Sequence, residues 1–114
     1  MICLENATHG ISIPLQTIWD IKKLADSKSK QQNIALHLDG ARLWNACAAT
    51  GVSVKDYCAP FDSASLCFSK GLGTALGSVI VGSKEFIHKA RFYRKLFGGG
   101  WRQAGYLAEA CLYA

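Results

Sequence analysis

The sequence is poor in several features that would fix its class at once. It has two prolines and one methionine in 114 residues. Its apolar runs stop far short of the roughly 20 residues that span a bilayer, so no membrane segment is expected. No period emerges when the chain is compared with itself, which excludes repeat arrays and collagen. Charge is sparse at 18%, while half the residues are hydrophobic. That balance excludes a disordered tail and suits one globular unit at most.

Five cysteines are present, at positions 3, 47, 58, 67 and 111, with no C-x-x-C pair. The count is odd, and no basic leader region precedes the first apolar run. The expectation is free buried thiols in a reducing compartment, with a cytoplasmic location. Neither His37 nor His88 stands at a ligand spacing to any cysteine, so no metal site is expected.

The net charge of +5 is local. Residues 84–102 hold six basic side chains and the single acid Glu85, while the rest of the chain carries seven of each sign. A basic segment of this kind seeks an anion: phosphate, nucleic acid or an acidic surface.

Residues 1–5 read as a buried strand and 6–10 as a polar turn. Pro14 suits a first helical turn. Leu15, Ile18, Ile21, Leu24 and Ala25 then form one apolar stripe that fades over 27–32. A strand is expected over 34–38, with Asp39-Gly40 as its turn. A helix follows over 42–49, ending at Gly51. Ser53 caps a short turn that Pro60 closes. Residues 61–68 form a strand, 69–73 a loop and 77–82 another strand. Ser83 caps a helix over 84–97, whose stripe of Phe86, Ala90 and Phe97 should be buried. Three glycines break it, and a last helix runs from about Arg102 to the end. Strands alternating with helices give an α/β class with a mainly parallel sheet flanked by helices. The chain starts in a strand and stops in an apolar helix, so a partial domain is expected.

Chemistry-bearing residues gather where strands end, the edge at which open α/β sheets bind ligands. Lys70 directly follows an apolar strand and precedes two glycines. Forced near a buried edge, it would lose solvation and become a nucleophilic amine, though an exposed loop lysine is the commoner case. Asp39 can point into a cleft or simply form a turn. Arg42 can clamp a carboxylate or phosphate, or pair locally with Asp39. Together a strand-end acid, an arginine and a loop lysine match the needs of pyridoxal phosphate (PLP), which requires a Schiff-base lysine and an acid at its ring nitrogen.

Four blocks carry a more specific signal: H-L-D-G-A-R-L-W-N-A from His37, F-D-S-A-S-L-C-F-S-K-G-L-G from Phe61, G-S-V-I-V-G from Gly77, and R-K-x-x-G-G-G-x-R-Q from Arg94. In order and spacing they resemble the low-specificity L-threonine aldolases, and the resemblance spans nearly all 114 residues. It implies part of the large domain of PLP fold type I over residues 1–114. It implies retro-aldol cleavage of a small β-hydroxy-α-amino acid, threonine or allo-threonine, to glycine and acetaldehyde. It also implies a homo-oligomer, dimer or tetramer, with no nucleic-acid or membrane partner.

By the same resemblance, Lys70 is the Schiff-base lysine and Asp39 pairs with the pyridinium nitrogen. Arg42 lies near the ring oxygen and the substrate carboxylate. Ser69, Lys95 and Arg102 help bind the cofactor phosphate. His9 falls where some members carry a substrate-recognising histidine, and His37 either packs under the ring or serves as a strand residue. The four other basic residues of 84–102 are taken as a solvated helix face. Ala7, Ala75 and Trp101 depart from the usual pattern. The family's upstream phosphate loop and ring-stacking histidine and its downstream carboxylate-binding arginine are not among these residues, so activity of the chain by itself is expected to be impaired. Two other readings stand beside this one: a non-catalytic paralogue that only oligomerises, and a basic single-strand binder with interleaved aromatics.

Overall fold

The computed structural model describes residues 1–28 and 33–114. Part of the stretch where the first helix was expected to fade therefore lies outside the described residues.

Four strands form one sheet in the order β1 (Ile2–Glu5), β4 (Leu36–Gly40), β5 (Ser63–Cys67) and β6 (Ser78–Gly82). The β1–β4 and β4–β5 pairs are parallel, and the β5–β6 pair is antiparallel. The sheet is thus mainly parallel, within a mixed α/β fold. Strand β4 runs two residues further than its apolar pattern. Asp39 and Gly40 stay in the ladder, opposite Ser65 and Leu66. Gly40 is needed there, because a Cβ would lie 2.6 Å from Leu66 Cδ2 and 2.8 Å from the Ser65 carbonyl oxygen.

Alternation along the strands separates two faces. Leu36, Leu38, Ala64 and Leu66 are buried on one. Against them pack α1 (Leu15–Lys28), α2 (Leu43–Thr50) and α3 (Val54–Cys58), which supply Ile18, Leu43, Ala46 and Tyr57 to one core. The other face is mainly polar, with Glu5, His37, Asp39, Ser63, Ser65 and Ser78 in register beside Cys3, Cys67 and Ile80.

Local signals act as expected. Ser53 Oγ accepts from the Asp56 N–H at 3.1 Å, and Ser83 Oγ accepts from Phe86 at 3.2 Å. Helix α4 (Lys84–Leu96) ends when Gly98 adopts φ +81°, with Gly98 N–H donating to Lys95 and Gly99 N–H to Arg94. That is the Schellman arrangement, in which a left-handed glycine turns the chain back over the last carbonyls.

The turn over 6–10 is in fact a hairpin of β2 (Ala7–Thr8) and β3 (Ile11–Ser12). Its two tip residues, His9 and Gly10, have φ of 50° and 78°. Two positive φ values in a two-residue loop match the strand twist, as tight hairpins require.

Two expectations fail: the buried stripe of the helix over 84–97 and the buried thiols. Neither α4 nor α5 (Gly105–Tyr113) contains a buried residue. Phe97 is 82% exposed, so the supposed buried stripe of α4 is open. None of the five cysteines is fully buried, though all are free. For the two helices the reason is that only one sheet face is densely covered. The radius of gyration is 15.3 Å, against about 13 Å for a closed domain of this length. Among the described residues no helix is long and apolar enough to cross a membrane.

Candidate active site

The parallel strands β1, β4 and β5 finish along one edge, and the polar residues of interest follow those ends. Asp39 is exposed near the end of β4. Its Oδ1 accepts the Ala41 N–H at 3.0 Å, which fixes the carboxylate over the turn. The local pairing with Arg42 does not form. Among the described residues no ion pair joins them, so Asp39 Oδ2 and the exposed Arg42 guanidinium stay available to a ligand.

Lys70 lies in the loop after β5. It is exposed, the commoner of the two cases weighed from the sequence, and not pressed against a buried edge. The reason is the open polar face of the sheet. Ser69 is also exposed; its Oγ shares a hydrogen bond with Cys67 Sγ at 3.4 Å. That bond, helped by the Lys70 charge, holds the Cys67 thiol below its ordinary pKa, whereas burial pushes Cys47 and Cys58 up.

Two side chains bring the Arg42 and Lys70 loops together. Trp44 Nε1 donates to the Cys67 carbonyl at 2.9 Å, and its ring stacks on Phe68 with centroids 6.4 Å apart. Asn45 sits so close to Gly71 that a Cβ there would lie 2.5 Å from its Oδ1. In the sequence Trp44 and Asn45 stand out only as members of the block that begins at His37. The signal available was their place in the first turn of α2, just after Arg42, where side chains face the next strand end.

His37 Nδ1 and Ser63 Oγ share a hydrogen bond at 2.8 Å, which pins the imidazole across β4 and β5 on the face that bears Asp39. His9 sits apart, exposed at the hairpin tip.

Lys95 and Arg102 are not brought to this edge by any bond among the described residues. The Lys95 side chain lies along Gly100, and Arg102 is exposed in the turn before α5. The basic face of α4 is also less uniform than expected. Lys89 pairs with Glu85 at 2.7 Å, but Arg91 and Arg94 line a cleft of about 600 Å³ with Ser65, Ser78 and Ile80.

The edge combines an exposed amine, an exposed carboxylate, an unpaired guanidinium and a hydroxyl. That donor set fits a phosphorylated pyridine aldehyde: the amine for its carbonyl, the carboxylate for its ring nitrogen, the cation and hydroxyl for its anionic oxygens.

Known proteins share this sequence and this fold. The sequence pattern described as beta-eliminating lyase matches residues 1–114. A probable low-specificity L-threonine aldolase of Schizosaccharomyces pombe is 53% identical over all of this chain and 29% of its own length. A low-specificity L-threonine aldolase of Candida albicans is 51% identical over the same shares. A crystal structure of an aromatic amino acid beta-eliminating lyase/threonine aldolase from Exiguobacterium superposes with a TM-score of 0.85 at 27% identity, covering 97% of this chain and 31% of that one. The chain thus spans about three-tenths of the length of the relatives it matches. With its whole length matched and its sheet edge built of the expected residue types, the chain belongs to the beta-eliminating lyase family.

Proposed function

We propose that these residues are part of a PLP-dependent L-threonine aldolase, contributing the lysine and acid of the site to the retro-aldol cleavage of threonine or allo-threonine. The observation that carries this reading is the joining of the Asp39–Arg42 turn to the Lys70 loop at one sheet edge, through Trp44 and Asn45. Relatives that share about half of these residues bear the name of that activity.

When bound, PLP supplies an electron sink for the pair released as the Cα–Cβ bond of the substrate breaks. The chain's own residues bind and orient. Lys70 anchors the cofactor through its amine. Asp39, steadied by the Ala41 N–H, keeps a proton on the ring nitrogen by accepting its hydrogen bond. Arg42 offers a planar pair of donors to the substrate carboxylate. Ser69, Lys95 and Arg102 bind phosphate, the last two from the end of α4 and the turn beyond it. His37, held by Ser63, stays beneath the edge as a support. His9 has a substrate role only if the hairpin tip reaches the bound amino acid. The substrate is a small β-hydroxy-α-amino acid, and the working assembly is a homo-oligomer in which residues 1–114 form part of the PLP-binding large domain.

The test is to add PLP to the purified chain, reduce with borohydride and map the product. A pyridoxyl group fixed on Lys70, absent from Lys70→Ala, is expected. Label on other lysines in equal measure, or none, would overturn the reading.

A further inference from the structure

Residues 84–102 hold one acid, Glu85, and Lys89 already takes it at 2.7 Å. Arg91 and Arg94 have no acidic partner among the described residues. Both share a face of α4 with Ile87 and Ala90, since these four positions recur at three- and four-residue steps. Ile87 and Ala90 are half-buried against the sheet side, so the same face sets both arginines over the cleft beneath.

That cleft encloses about 600 Å³ between α4 and the β5–β6 pair, a size that suits a small molecule. Ser65 and Ser78 bring hydroxyls to it from the two strands. Its wall includes Tyr93, whose ring stacks on Phe97 with centroids 6.3 Å apart. Gly99 makes room for the Arg94 stem, because an added Cβ would lie 3.2 Å from Arg94 Cγ. Cations and hydroxyls thus meet aromatic and aliphatic walls in one place. Two guanidiniums offer more donors than a single carboxylate can accept. A phosphate monoester answers them better, with three acceptor oxygens and about two negative charges.

We propose that this cleft binds a phosphate monoester carried on a ring. Arg91 and Arg94 clamp the phosphate, Ser65 and Ser78 donate their hydroxyls to it, and Tyr93 and Phe97 hold the ring. The site goes beyond the cleavage of threonine, in which none of these residues has a part. Ser65 is the register partner of Asp39, so a ligand in the cleft lies one strand from that acid.

The experiment titrates the 114-residue chain with phenyl phosphate, without PLP, and follows backbone amide signals. Shifts are expected at Ser65, Ser78 and Ile80 and along 87–99. Inorganic phosphate and benzoate should each bind about tenfold more weakly, the first lacking the ring and the second the phosphate. Arg91→Gln and Arg94→Gln should each weaken phenyl phosphate about tenfold. Both side chains are exposed, so the variants should fold. Lys84→Gln removes an equal charge outside the cleft and should change affinity less than twofold. Equal losses at all three positions would mark a diffuse charged patch and overturn the proposal. Shifts confined to Ser69, Lys95 and Arg102, or benzoate binding as tightly as the ester, would overturn it too. So would tighter binding of a short oligothymidylate through the same residues, which would make the cleft a single-strand site. Because no PLP is present, the proposed function can fail while this inference stands, and the reverse.

Discussion

Trp44 Nε1 donates to the carbonyl of Cys67 at 2.9 Å, and this bond fastens the start of α2 to the loop that carries Lys70. Trp44→Phe keeps the ring stacked near Phe68 but deletes the donor. The loss should be about 1 kcal/mol in urea denaturation, since a half-buried carbonyl is left without its partner. Amide exchange over 69–73 should quicken more than exchange in α1. Equal effects on both segments would show that the bond does not govern the loop.

Gly40 and Gly51 test packing against backbone conformation. At Gly40 an added methyl meets the Leu66 side chain and the Ser65 backbone, so Gly40→Ala should lose about 1–3 kcal/mol by overpacking. At Gly51 nothing lies within 4 Å, and only φ of +73° opposes a side chain. Gly51→Ala should then lose about 1 kcal/mol. Paired denaturation curves decide it, and a costlier change at 51 than at 40 would contradict the tight strand contact.

Cysteine reactivity should follow the local environments. Cys67 has a lowered pKa, chiefly through the Ser69 hydroxyl, whereas burial raises Cys47 and Cys58. The thiolate is the reactive form. As pH rises from neutrality, Cys67 should therefore alkylate first of these three, in peptide maps made at each pH. Ser69→Ala removes the bond and should shift the Cys67 profile to higher pH. Alkylation of Cys47 ahead of Cys67 would refute the assignment.

Protection against hydrogen exchange should be uneven. Strands β4 and β5 and helix α2 enclose the buried cluster, while α4 and α5 bury no residue. Amides of α5 should exchange orders of magnitude faster than those of Leu38 and Leu66, because few apolar contacts oppose local opening. Uniform protection across the chain would mean that α5 is held by contacts absent from this fold.

Much of this was legible in the linear sequence, and the residues that were legible share a cause. Ser53 and Ser83 cap helices, Gly98 ends α4, and the alternating strands sort polar from apolar faces, because each effect acts between near neighbours along the chain. The same locality put Asp39 at the end of one apolar strand and Lys70 just past another, and the four motif blocks set them within a family. Tertiary structure decided the rest. The exposure of Lys70 and Phe97 depends on which sheet face is covered, and no local pattern reports that. The freedom of Arg42 from Asp39, the placement of Arg91 and Arg94 in a cleft, and the seating of Trp44 on Cys67 all join residues through the sheet. The orphaned amide of Asn6 is the sharpest case: in sequence it is a turn residue, and only the packing of strands and hairpin around it leaves it buried without a partner.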